Sequence, residues 1–315
     1  MLNKILDGAK TIAVSGHVRP DGDCVGSCMA IAGYIRDNYK DKVVDVYLES
    51  IPVEYGCIRG TDQIIHEDAA DLKKVYDLFI CLDCGDEDRL GFSAELFHKA
   101  KRTYCVDHHV SNTDFAQESY VMPDASSTAE LVYNILEYDK ITLPVAEALY
   151  LGISHDTGVF QYSCAGPSTF RVAASLLEKG VNAPKLITDT YYEKTFVQNK
   201  IMGRALDTSR LLENGKYIVS VITKETMDAY GATPKDLDAI VSQLKVTKGV
   251  EVAIFLYQVN ENEFKVSLRS KNDWDVSRVA VTFGGGGHVK AAGVTMKGTA
   301  EEILEKLVKE LNLQA

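Results

Sequence analysis

Short apolar runs alternate with amphipathic stretches through the first half of the chain. TIAVSG (11–16), VVDVYL (43–48), DLFICLD (77–83) and RTYCVD (102–107) are nearly continuous in hydrophobic residues, the pattern of buried strands. Each is followed by a turn or by a helical periodicity such as SCMAIAGYIRDNY (27–39) or AELVYNILEY (129–138). Strands alternating with helices predict an α/β fold with a doubly wound, mainly parallel sheet. Ligands of such sheets sit at the C-terminal ends of the strands, where loops converge.

From about residue 190 the texture changes. KYIVSVIT, EVAIFLYQ, FKVSLRS and a Gly-rich turn after VAVTF predict a second, smaller α/β domain with a mixed sheet, closed by EEILEKLVKEL as an amphipathic helix. The stretch TDTYYEKTFVQNKIMGRALDTSRLLENG is expected to hold one long helix joining the two parts. The expected division is therefore 1–189 for the catalytic domain, 190–215 for a helical linker and 216–315 for the second domain. No internal repeat or low-complexity segment interrupts this pattern.

Charge separates the parts further. Of 34 basic and 45 acidic side chains, residues 1–189 hold 17 and 29, and residues 190–315 hold 17 and 16. A formal charge of −11 argues against gripping long nucleic acid with a general basic surface. A small anion remains compatible if positive charge is local or supplied by metal ions. Seven scattered cysteines fit a reducing compartment, and neither an 18-residue apolar run nor a signal-peptide pattern is present. The expectation is a soluble cytoplasmic protein.

Chemistry is suggested by where Asp and His fall. TIAVSG runs into His17, Asp21 and Asp23; DLFICL ends at Asp83; RTYCV ends at Asp107, His108 and His109; ALYLGIS ends at His155 and Asp156. One Asp after a strand commonly caps the next helix. Four segments delivering carboxylates and imidazoles to one edge of the sheet need more than capping, because clustered carboxylates repel and call for a cation. Oxygen and imidazole donors without thiolate favour manganese, with magnesium, iron or cobalt as substitutes. Asp21 and Asp23 flank Gly22, so a tight loop can present both. A carboxylate bridging two ions roughly 3.5 to 4 Å apart suits phosphate-ester hydrolysis. In the second part, GGGGH (284–288) offers backbone N–H groups that can cradle a phosphate, with His288 as an added donor.

HVRPDGD (17–23), LDCGD from Leu82, DHH (107–109) and SHDTG from Ser154, in this order and spacing, resemble the DHH phosphoesterase superfamily. GGGGHVKAAG is similar to the signature of its DHH-associated C-terminal substrate domain. The compact size resembles the bacterial nanoRNase and pAp phosphatase group, the NrnA type. The resemblance implies two manganese ions, one held by His17, Asp21 and Asp83 and the other by Asp23, Asp83, His108 and Asp156, with Asp83 as the bridge. It further implies that Asp107 orients a histidine, that His109 touches the scissile phosphate or leaving oxygen, and that Arg269, Gly286, Gly287 and His288 grip the terminal phosphate. CAGPSTF (164–170) departs from the expected hydroxyl-rich loop and leaves the parts of Ser168 and Thr169 open.

The resemblance implies a manganese-dependent hydrolase of very short RNA and of 3′-phosphoadenosine 5′-phosphate (pAp). Its partners are a short RNA or small nucleotide, with no long nucleic acid and no membrane; a homodimer is the candidate assembly. Rival readings are a cyclic-di-AMP or pApA phosphodiesterase, an inorganic pyrophosphatase, which would lack GGGGH, and a nucleotide-binding module with a dead centre. Other features read as packing or surface: the Cys81/Cys84 pair lacks a second pair for zinc, Cys24 and Cys28 lie one helical turn apart, and His66 and His98 have no partner motif. His155 reads as support for its neighbour Asp156. Trp274 either stacks on a base or packs a domain edge.

Overall fold

A computed structural model describes residues 1–313 as two compact units, Met1–Glu193 and the part from Lys194 onward. In the first unit, β1 (Thr11–Ser15), β2 (Val43–Tyr47), β3 (Leu78–Leu82), β4 (Thr103–Asp107) and β5 (Glu118–Val121) form a wholly parallel sheet in the order β2-β1-β3-β4-β5. The connections step outward from β1 to β2 and then return to β3, so the direction of winding switches between β1 and β3. β3 and β4 are buried at every position, as continuous apolar runs require. β5 escapes the hydrophobic pattern because ESYV is a half-exposed edge strand.

The helices of this unit are α1 (Leu2–Ile5), α2 (Gly22–Asn38), α3 (Ala94–Lys99), α4 (Thr128–Ile135), α5 (Leu143–Asp156), α6 (Pro167–Glu178) and α7 (Ala183–Ile187). ALYLGIS, which reads like the other apolar segments, lies inside α5. Its core is apolar all round, so periodicity does not separate it from a buried strand. α5 packs closely on α2, and glycine makes this approach possible. A Cβ on Gly26 would lie 2.5 Å from the Ala148 carbonyl oxygen of α5, and one on Gly152 would meet Asp23 Oδ1 of α2 at 2.7 Å and the Ala129 Cβ of α4 at 2.5 Å.

The predicted long connecting helix is broken. A π-turn over Thr188–Tyr192 ends the first unit, and Thr195 then starts α8 (Phe196–Asp207) with a reciprocal cap, its hydroxyl accepting from the Gln198 N–H. Both α8 and β6 (Arg210–Leu212) lie in the second unit. The rest of that unit comprises β7 (Tyr217–Ile222), α9 (Lys224–Tyr230), α10 (Ile240–Lys245), β8 (Val252–Asn260), β9 (Glu263–Ser270), α11 (Val276–Thr282), β10 (Gly286–His288), β11 (Ala291–Lys297) and α12 (Ala300–Asn312). Its mixed sheet runs β10-β11-β9-β8-β7-β6, with only β7 and β8 parallel.

Cores form on both faces of this second sheet. Ala253, Phe255 and Tyr257 of β8 pack with α8, α9 and α10, whereas Val252, Ile254 and Leu256 pack with α11 and α12. VAVTF belongs mostly to α11 rather than to a strand, its start fixed by Asp275 accepting from the Ser277 and Arg278 N–H groups. The Gly run that follows is not a free loop, since Gly286–His288 is an edge strand. Trp274 packs edge-on against buried Tyr217, with ring centroids 5.5 Å apart, which favours domain packing over base stacking. Among the described residues, no helix is long and apolar enough to cross a membrane.

Candidate active site

Three strands of the first unit end in the same corner. β1 leads through His17 to Asp21, which caps α2 by accepting from the Asp23 and Cys24 N–H groups, both at 3.1 Å. β3 delivers Asp83, 2% exposed and held at φ 55°. A left-handed Asp costs about 1 kcal/mol, which the surrounding contacts must outweigh. β4 ends at Asp107 and continues into His108 and His109, while Asp156 comes from the C-terminal end of α5 rather than from a strand.

The side chains meet around Asp83. His17 Nε2 lies 3.5 Å from Asp83 Oδ2 and 3.7 Å from Asp21 Oδ1. On the other side, His108 Nε2 lies 3.7 Å from Asp83 Oδ1 and 3.4 Å from Asp156 Oδ2. Donor atoms within 4.8 Å of one another group as His17, Asp21 and Asp83; as Asp23, His108 and Asp156; and as Asp83, His108 and His109. Each group has the size and chemistry to hold a metal ion. Their oxygen and imidazole donors suit a divalent cation of the magnesium and manganese kind better than one preferring thiolate.

The far side of each ring supports that fit. His17 Nδ1 donates to the Val18 carbonyl at 2.8 Å and His108 Nδ1 to the Ala125 carbonyl at 3.4 Å. With Nδ1 occupied, Nε2 is the nitrogen that would offer an electron pair to an ion once its own proton is displaced. His109 is arranged differently. Its Nδ1 faces Asp107 Oδ1 at 2.7 Å, and the other Asp107 oxygen accepts from Asn112 Nδ2 at 2.7 Å.

Electrostatics show how poorly the corner tolerates its own charge. Burial, then repulsion from Asp83, Asp156 and Asp21, pushes the Asp23 carboxyl well above the usual range. Burial also lifts Asp156, to about 6, although His108 pulls it down. Burial disfavours a charged His17, yet hydrogen bonds to Asp21 and Asp83 outweigh it and lift the ring to about 11. Protons therefore balance the carboxylates where a cation could do so. The Asp107 bond raises His109, while His109 and Asn112 hold Asp107 low against its burial.

A loop with no charged signature in its first residues completes the corner. The Thr128 and Ala129 N–H groups donate to Asp23 at 2.6 and 2.9 Å, and Thr128 Oγ1 donates to Asp83 Oδ1 at 3.1 Å. Ser126 and Thr169 both donate to buried Glu130, so Thr169 braces α4 from α6. Sequence reasoning missed this loop, although Ser127 followed by Glu130 is a helix-start signal. His155 lies over the loop start: a Cβ on Gly22 would be 2.3 Å from its Cγ, and Tyr55 and Thr190 hydrogen-bond its ring. The cysteines are free thiols; Cys24, Cys28, Cys81 and Cys84 are buried. His66 bonds the Leu48 carbonyl and His98 pairs with Glu87.

In the second unit, β-sheet register lines up the predicted phosphate group. His288 pairs with Ala291 and Ala291 with Arg269, so His288 and Arg269 stand on one sheet face. Gly286, paired with Gly293, shares that face; a Cβ there would meet nothing within 4 Å. Gly287 sits on the opposite face, in line with Ala292 and Leu268 of the core under α11 and α12, at φ 140°, where a Cβ would fall 2.5 Å from the Ala292 Cα. It must be glycine for packing, whatever else its N–H does.

Comparison with known proteins places the two units separately. Residues 11–153 match the DHH family, N-terminal domain, and residues 214–315 match the DHHA1 domain. The bifunctional oligoribonuclease and PAP phosphatase NrnA of Thermus thermophilus is 28% identical over 312 residues, which are 95% of this chain and 90% of that protein. The Bacillus subtilis protein of the same name is 25% identical over 311 residues, 95% of each. A crystal structure of an exopolyphosphatase-related protein from Bacteroides fragilis has a TM-score of 0.91 at 26% identity, covering 99% of this chain and 94% of that one.

Proposed function

We propose that this chain, which carries a DHH domain followed by a DHHA1 domain, is a manganese-dependent phosphoesterase that degrades very short oligoribonucleotides to mononucleotides and converts pAp to AMP. The observation that carries this reading is the pair of histidines facing Asp83 from opposite sides, each with Nδ1 occupied by a carbonyl and Nε2 turned to carboxylate. The substrate class rests on the two relatives named as oligoribonuclease and PAP phosphatase.

His17, Asp21 and Asp83 would hold one ion, and Asp23, Asp83, His108 and Asp156 the other. Bound divalent ions supply charge neutralisation and acidify water at neutral pH. The chain's own residues do the rest. Asp83 presents one oxygen to each histidine, so the two ligand sets share a carboxylate. Asp107 fixes the His109 ring through Nδ1 and favours its protonated form, leaving Nε2 to hydrogen-bond a phosphoryl oxygen. The attacking water loses its proton to solvent as its oxygen bonds to phosphorus, and as the bond to the ribose oxygen breaks, protonated His109 is placed to give its own proton to that leaving oxygen. In the second unit, Arg269 and His288 would bind a terminal phosphate, the guanidinium through paired N–H donors. Two or three local cations suffice for a substrate with few phosphates, which accommodates the chain's net charge of −11.

The test is turnover of labelled RNAs from dinucleotides to long strands, with manganese and with chelator, beside pAp, pApA and cyclic-di-AMP. Preference for the shortest RNAs together with pAp cleavage, both lost on chelation, is the expected result. Activity confined to pApA or cyclic-di-AMP would move the protein to nucleotide signalling. Nucleotide binding without hydrolysis of any of these by metal-loaded protein would overturn the enzymatic reading.

A further inference from the structure

We infer that Thr128 is a positioning residue that orders the central carboxylate for both ligand sets, an inference that rests on the two-ion reading above. Thr128 is the first residue of α4 and is fully buried. It reaches two acidic groups by two different routes. Its backbone N–H, with that of Ala129, is used by Asp23, and its hydroxyl by Asp83 Oδ1. Asp23 belongs to one group of donors and Asp83 to the other two.

The hydroxyl contact decides how Asp83 is turned. Asp83 Oδ1 already faces the Nε2 of His108 and the Nδ1 of His109, both at 3.7 Å, and Oδ2 faces His17. A hydrogen bond to Oδ1 fixes the plane of the carboxylate, so that each oxygen addresses its own side. Without it, the group can rotate about its last torsion, which has broad wells. Asp83 is also left-handed in backbone, so its side chain depends on neighbours to settle its direction. The β-branch of threonine restricts the hydroxyl to few rotamers. The brace behind it is firm: Ser127 caps α4 through the Glu130 N–H, and Glu130 is tied to Ser126 and Thr169.

This arrangement separates two functions of one residue. Thr128→Val removes the hydroxyl at nearly constant volume and leaves the N–H bond to Asp23. Thr128→Ser keeps the hydroxyl and loses only the methyl. Hydrogen-bonding partners behind metal ligands typically change affinity about 10- to 100-fold when removed. Manganese titration calorimetry on both variants and the parent, with melting temperatures measured in chelator, reads the effect without using activity. The expected result is a manganese affinity about 10- to 100-fold weaker in Thr128→Val and within about threefold of the parent in Thr128→Ser, with similar melting of the chelated proteins. Parent-like affinity in the valine variant overturns the inference. Equal loss in both variants overturns it too, since packing of the methyl would then be the cause. If chelated Thr128→Val fails to fold, Thr128→Ala against Thr128→Ser repeats the contrast. Binding of a single ion by the parent would refute the two-ion reading, and the hydroxyl's part would still be decided by valine against serine.

Discussion

In the first unit Asp23, Asp83 and Asp107 are withdrawn from water and fastened by backbone N–H, hydroxyl, amide and imidazole partners, whereas in the second Gly286 and His288 lie on an exposed edge strand beside half-buried Arg269. The difference matches the proposed division of labour. The carboxylates proposed to hold cations are already fixed by these partners, at the cost of a left-handed Asp83 and crowded charge. Gly286 and His288, proposed to meet a nucleotide, are exposed to solvent, while Arg269 donates from Nη1 to the Leu268 carbonyl at 3.0 Å.

The sharpest way to break this comparison is Asp83→Ala. Losing the shared carboxylate should lower turnover at saturating substrate by more than about 10³-fold, and turnover near the parent value, measured by mononucleotide release, would refute the shared-ligand assignment. Arg269→Ala probes the open unit. Removal of a charge-assisted contact should raise KM for short RNA about 10- to 100-fold while kcat changes little; a fall in kcat at unchanged KM would place Arg269 in the chemistry instead.

The smallest effect is a pH dependence. Asp156 has a raised folded-state pKa, so in chelated protein it stabilises the fold at pH below about 4, and that contribution is lost as pH rises through about 6. His17, at about 11, keeps its proton across this range. Manganese binding should therefore release more protons at pH 5 than at pH 7, Asp156 supplying the difference. Calorimetry in buffers of unlike ionisation enthalpy measures this, and equal release at both values would show that Asp156 is already ionised in the free protein.

Much of the first unit was legible because burial leaves a residue-type trace: an apolar run that ends in Asp or His marks both a strand and its functional end. β1, β3 and β4 and the Asp and His residues after them follow from that, while β2 is read from its apolar run alone. Where the trace is ambiguous, the reading failed. ALYLGIS and VAVTF are helices, and a short apolar segment gives no period by which to tell them from strands. The break at Thr195 was signalled by its cap, Thr195 with Gln198, but the amphipathic run around it hid the stop. The loop at 125–129 was invisible for a different reason, since a carbonyl for His108 and N–H groups for Asp23 are available from any residue.

α2 and α5 meet across Gly26 and Gly152 with no side chain between their backbones, and a Cβ on Gly152 would also come within 2.7 Å of Asp23 Oδ1. One helix carries Asp21 and Asp23 at its start, and the other carries Asp156 at its end. Backbones in direct contact have no side-chain layer to compress, so these carboxylates cannot drift apart to suit a larger guest. If the corner holds ions as proposed, such stiffness would suit an ion with oxygen distances near about 2.1 Å better than calcium, which needs about 2.3 to 2.6 Å and more ligands.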